Sequence, residues 1–185
     1  MKPDHIFTPT RFIAALFAAA CLFHSCKDKH SQATPALDLS SQIYTDPNGV
    51  VAGTSGNVSD EFAAETFDTW LRNLFAPLDT MALPASPLPQ GTQASVYPNP
   101  AMLYQAFSVH AQTQDSINLK IVLVNRNREL IKRAGITFSN GQGVLAFDYS
   151  TVDLKGDSLF RMYFALSTKS NPYYFTSHAD VTIKR

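Results

Sequence analysis

The sequence predicts a mainly β protein: an immunoglobulin-like antiparallel β-sandwich of about seven strands, preceded by one amphipathic helix and a flexible N-terminal tether. Three observations lead there. From residue 94 onward, apolar residues alternate with polar ones in short runs separated by Gly, Asn, Asp and Pro. One earlier stretch, 59–76, has instead a helical period. The composition suits a folded domain, because 45% of the 185 residues are hydrophobic, only 16% are charged, and 13 Phe with 7 Tyr can fill a core. Equal numbers of basic and acidic residues, 15 of each, exclude a generally basic nucleic-acid binder and an acidic solvating tail.

The chain opens with Lys2 and Arg11, runs through twelve unbroken apolar residues at 12–23, and reaches Ser25-Cys26. Twelve residues fall short of the roughly twenty that cross a bilayer. The segment Leu22-Phe23-His24-Ser25-Cys26 behind that apolar run resembles a bacterial lipoprotein signal peptide. The resemblance implies that residues 1–25 are removed and that Cys26 becomes a lipidated N-terminus, with the outer membrane as location and either leaflet open. An ordinary secretory signal cut nearby is the alternative. If Cys21 leaves with the signal, Cys26 is the sole cysteine of the mature chain and no internal disulfide can form.

Residues 26–58 are rich in Ser, Thr, Gly, Ala, Asp and Asn, the composition of a flexible tether. Within them Gln42-Ile43-Tyr44-Thr45 and Val50-Val51-Ala52 flank Asp46-Pro47-Asn48-Gly49, the chemistry of a small hairpin. The amphipathic segment is 59–78. In it Ser59 is placed to cap, Asp60 and Glu61 complement the helix dipole, and Pro77 ends the run. Phe62, Phe67, Trp70, Leu71, Leu74 and Phe75 recur on one side. That face is expected to dock on the following domain; a partner interface through Phe67, Trp70 and Leu74 is the rival reading. Residues 79–93, with Pro84, Pro87 and Pro89, form a stiff linker, because prolines remove backbone donors and fix φ.

The sandwich is predicted over 94–185, with strands at 94–97, 106–111, 117–124, 130–138, 144–149, 159–167 and 179–184. Ile117, Leu119, Ile121 and Leu123 face one way, as do Phe160, Met162, Phe164 and Leu166, while Asn118, Lys120 and Arg161 face the other. Ser139-Asn140-Gly141-Gln142-Gly143 reads as a hairpin loop, and Lys155-Gly156-Asp157 and Ser170-Asn171-Pro172 as turns.

Val96-Tyr97-Pro98-Asn99-Pro100-Ala101 at the head of this region resembles the start of the C-terminal sorting domain of the type IX secretion system. Residues 120–131, 148–163 and 180–185 are similar to later landmarks of that family. The resemblance implies a small sandwich that directs cargo across the outer membrane, with Tyr97, Pro98, Asn99 and Pro100 as its marker. Physically, the two prolines also exclude helix and turn the chain into an edge strand.

The residues offer little catalytic chemistry. His110 and His178 are the two histidines of the sandwich, without a Cys, Glu or second His at ligand spacing, and both read as surface or strand-end residues. Asp148, Asp153 and Asp157 share one stretch but match no calcium-loop spacing. No metal, cofactor or enzymatic activity is expected. The expectation is a non-enzymatic outer-membrane lipoprotein whose sandwich and aromatic helix bind an envelope protein or surface polymer. The alternative is a type IX secretion cargo, whose partner is the secretion machinery. Neither reading involves nucleic acid.

Overall fold

The computed structural model describes residues 35–78, 91–112, 114–154, 158–168 and 175–184. Cys26 and the whole signal segment, most of the Pro-rich linker, and the turns at 155–157 and 170–172 lie outside the described residues. In chain order, β1 (Gln42–Thr45) and β2 (Val51–Ser55) form an antiparallel hairpin, and α1 (Thr69–Phe75) is a short helix. Seven strands follow: β3 (Gln93–Tyr97), β4 (Tyr104–His110), β5 (Ile117–Asn125), β6 (Leu130–Phe138), β7 (Gln142–Asp148), β8 (Ser158–Thr168) and β9 (Phe175–Ile183). No described helix is long and apolar enough to cross a membrane.

The seven strands make the expected immunoglobulin-like sandwich. One sheet has the order β3-β4-β7, the other β6-β5-β8-β9, and every pairing within them is antiparallel. The chain crosses between sheets after β4, β6 and β7, the Greek-key connectivity of that architecture. Asn140 and Gly141 both take left-handed φ, 56° and 71°, the signature of a tight type I′ turn. The turn predicted as a hairpin loop is therefore a tight corner, but the strands it joins, β6 and β7, belong to different sheets.

Alternation decides what lies between and outside the sheets. Ile117, Leu119, Ile121 and Leu123 of β5 meet Phe160, Met162, Phe164 and Leu166 of β8 in the inner core, joined by Phe107, Phe147, Tyr149, Phe175 and Val181. The other faces of β5 and β8 are also apolar, because Val122, Val124, Tyr163 and Ala165 are buried there. A sheet buried on both faces needs a second cover. Residues 35–78 supply it: Leu37, Leu39, Phe67, Leu71 and Phe75 pack onto that outer face, with Trp70 and Leu74 half-buried at its margin.

This corrects the tether at 26–58 and the helix at 59–78. Residues 35–58 are packed structure, and the helix is confined to Thr69–Phe75, capped by Asp68, whose Oδ1 accepts from the Leu71 amide at 2.8 Å. Residues 60–66 run instead beside the edge of β9. The Phe62 amide donates to the His178 carbonyl at 2.9 Å and the Glu65 amide to the Thr176 carbonyl at 2.8 Å. An open strand edge offers paired donors and acceptors that outweigh a modest helical propensity. Phe62 and Phe67 shared one predicted helical face, yet Phe62 lies against Phe164 of the inner core and Phe67 against Tyr163 of the outer one. Between them the chain bends round the edge of β9.

Phe67 is 2% exposed, so the Phe67→Ala chain is expected to lose about 3 to 5 kcal/mol of stability, whereas Trp70→Ala at its half-buried site should lose about 1 to 2 kcal/mol. Urea denaturation of both variants checks the ranking; equal midpoints would mean that the outer cover does not stabilise the sandwich.

Candidate functional site

Polar side chains gather where the N-terminal strap, residues 35–66, meets β9. Strand alternation places Thr176, His178, Asp180 and Thr182 on the outer face of β9, opposite Ala165, Tyr163, Arg161 and Leu159 of β8. Thr176, His178 and Asp180 are buried. Each therefore needs a partner, since a buried polar group without one forfeits its hydration.

Arg161 meets its cross-strand neighbour Asp180 in a bidentate pair, Nε to Oδ1 at 2.7 Å and an η nitrogen to Oδ2 at 2.8 Å. The same η nitrogen donates to the Asp38 carbonyl at 2.7 Å, which fastens the strap to the sheet. Burial pushes the Asp180 carboxyl up and the guanidinium pulls against it. Burial also opposes the Arg161 charge, but the hydrogen bonds and field of Asp180 hold its pKa above the usual range. His178 Nδ1 lies 2.7 Å from Glu65 Oε2, while its Nε2 makes no hydrogen bond and lies 3.8 Å from Asp60 Oδ2. His178 is thus a buried mid-strand residue, contrary to the surface reading of the sequence; His110 is exposed, in agreement with it.

Asn99 ties the hairpin to the sandwich. It is 2% exposed; its side-chain amide donates to the Ile43 carbonyl at 2.8 Å and the Asp180 carbonyl at 3.0 Å, and its Oδ1 accepts from the Thr182 amide at 2.9 Å. Its backbone exchanges two bonds with Thr45. Pro98 contributes a carbonyl to Gln105 Nε2 at 3.0 Å, and Tyr97 stacks its ring under Gly49 of the hairpin turn. Beyond Pro100, Ala101 is fully buried and bridges to Ile183 in parallel. In this fold Tyr97-Pro98-Asn99-Pro100 is a junction joining the strap, β3 and β9.

The three residues proposed as an interface divide. Phe67 is core, and Trp70 and Leu74 are half-buried, Trp70 lying edge-on to Tyr163 with the Arg128 guanidinium 5.1 Å over its ring. Arg128 also donates to the Pro35 carbonyl at 3.2 Å. It occupies a left-handed position, φ 64°, in a turn whose other end is closed by Asn125: its Oδ1 accepts from the Glu129 amide at 2.9 Å.

Glu61 is the residue that sequence reasoning missed. Read as a solvated helix-start charge, it is 8% exposed, and its Oε1 has no hydrogen-bond partner. Burial, reinforced by the carboxylate of Asp180, pushes its pKa up to about 8. It lines a cavity of about 140 Å³ enclosed by the hairpin, β3 and β9, together with Asn99 and Asp180 and otherwise mostly apolar walls. Only the unusual pairing of an acidic dipeptide with a following aromatic, Asp60-Glu61-Phe62, stood in the sequence as a signal, and it reads equally as a helix start. Among the described residues no group of three or more His, Cys, Asp or Glu could hold a metal ion. The arrangement can bind and can take up or release a proton; it sets no nucleophile beside a base.

No protein-family model matches the chain, and no curated protein matches it.

Since Glu61 is held protonated in the fold with a pKa of about 8, against 4.5 for the ordinary group, its stabilising effect is complete below pH 4.5 and is lost as pH rises through 8. The native chain is expected to lose about 2 to 4 kcal/mol over that interval through this group, and Glu61→Gln should flatten the loss. Denaturant titrations at pH 5 and pH 8.5 measure it; a wild-type curve parallel to that of the variant would refute the buried acid.

Proposed function

We propose that this chain is a non-enzymatic lipoprotein of the outer membrane, held by a diacylglycerol on Cys26, whose sandwich binds an envelope protein or a surface polymer. The observation that carries the reading is the strap. Residues 35–78 complete the outer face and edge of the same sheet that β9 belongs to, so the segment ahead of the sandwich is part of one binding module and not a separate passenger. Eight residues of sequence, 27–34, separate the proposed anchor from the packed unit that begins at Pro35.

The second reading, a type IX secretion cargo, draws on the sandwich topology and on Tyr97-Pro98-Asn99-Pro100. Against it stands the dependence of 94–185 on the strap: alone, that region would expose Val122, Val124, Tyr163 and Ala165 together with the edge of β9.

Two measurements separate the readings. Cys26→Ala should abolish incorporation of a labelled fatty acid and release the chain from membranes; unchanged labelling would reject the anchor. Residues 94–185 and residues 35–185, each fused to a foreign exported protein, should both leave the reporter off the cell surface, with only the longer fusion protease-resistant. Surface display of a reporter carrying 94–185 would establish the sorting reading instead.

A further inference from the structure

We propose that the chamber beside Glu61 binds a primary alkylammonium group, its carbon chain lying along Val51, Phe62 and Ala94 and its nitrogen meeting the Glu61 carboxyl. The inference rests on the reading of this chain as a binding module and names the chemistry of what it holds.

The walls narrow the choice. Of the five polar residues in the lining, Thr45 donates its hydroxyl to the Val96 carbonyl, Ser95 pairs with Ser108, Asn99 spends both side-chain donors and its acceptor on Ile43, Asp180 and Thr182, and Asp180 turns both oxygens to Arg161. Glu61 Oε1 remains, buried and unpaired. The rest of the lining includes Ile43, Val51, Phe62, Ala94 and Val96, against which only hydrocarbon is at ease. A volume near 140 Å³ is on the scale of the roughly 150 Å³ that holds a benzene-sized molecule, enough for a short alkyl chain. Gly49, Phe62, Ala94 and Ser95 line both this chamber and a wider groove of about 460 Å³ reaching Gln93 and His110, which gives a route in from the surface.

Charge selects the head group. The groups acting on Glu61 are Asp60 beside it, Asp180 on β9 and Arg161 on β8, while His178 of β9 faces Asp60. Arg161 is neutralised by Asp180, so the carboxylates are in excess and an anion is disfavoured. An ammonium supplies the missing positive charge and lets Glu61 give its proton to water. The Ser95 hydroxyl, paired with that of Ser108 at 2.7 Å, keeps a lone pair that can accept another of its hydrogens. A guanidinium, with five donors in a rigid plane, would leave more of them unmet in so small a chamber.

Calorimetric titration of the full chain with n-butylammonium and with Nα-acetyl-lysine methylamide tests this. Both are expected to bind saturably, about tenfold more tightly at pH 7 than at pH 6 and with little further gain above pH 8, each releasing one proton as Glu61 ionises. Tighter binding of the lysine amide assigns the site to a lysine of a partner protein; tighter binding of butylammonium assigns it to a small amine. Glu61→Gln should abolish binding with the fold intact. Ala94→Leu, which fills the chamber, should abolish it while the carboxyl resonance of Glu61 still titrates. The proposal is overturned if wild type shows no saturable binding at pH 8, if Glu61→Gln binds as well as wild type, or if n-butanol binds as tightly as the amine. None of these outcomes depends on lipidation, so failure of the anchor at Cys26 and failure of this site would be told apart.

Discussion

A four-stranded sheet that is apolar on both faces has to be covered twice, and that requirement organises this chain. β5 and β8 place Leu119, Ile121, Met162 and Phe164 inward and Val122, Val124, Tyr163 and Ala165 outward, all of them buried. The three-stranded sheet covers the first set. Among the described residues it is those preceding the sandwich that cover the second, and α1 with Leu37, Leu39 and Phe67 does so. Each buried Leu, Phe or Val contributes about 1.5 to 3 kcal/mol, so the outer layer is a substantial part of what holds the sheet together.

The cover brings a polar problem with it. To reach the outer face the strap passes β9, and burying that edge traps Asp180, His178 and Glu61 away from water. The bidentate Arg161 solves the first and Glu65 half of the second. Glu61 is solved by protonation, the least expensive state for a carboxyl with no cationic partner of its own. A buried ion pair adds little net stability but fixes geometry, and Arg161, touching Asp38 and Asp180 at once, sets the register of strap against sheet.

Much of the sandwich was legible because strand signals are local. Period-two alternation at 117–124 and 159–167 and turn residues at 139–141 placed the strands, and β6 matches its predicted span, 130–138. What escaped is tertiary. Phe62, Phe67 and Trp70 have helical spacing, and nothing nearby in sequence records that Phe62 belongs to a different core from Phe67 or that β9 offers a free edge. His178 and Asp180 look like ordinary strand residues until Tyr163 and Arg161, fifteen and nineteen positions earlier in sequence, stand opposite them. The same holds for Tyr97-Pro98-Asn99-Pro100: the prolines announce a turn into an edge strand, but the burial of Asn99 depends on Ile43 and Asp180, neither of them local.

Asn99 also bears on the order in which the molecule can assemble. Its side chain reaches back 56 residues to Ile43 and forward 81 to Asp180, so the hairpin cannot be fastened until the final strand exists. During synthesis the strap is made first and acquires its partners last. Until then Leu37 and Leu39 of the strap, Phe67, Trp70 and Phe75 after it, and the outer face of β5 await their full set of contacts, and long-range contacts of this kind close slowly. The β1-β2 hairpin can pair within itself as soon as it is made, but its fastening to the sandwich waits for β9.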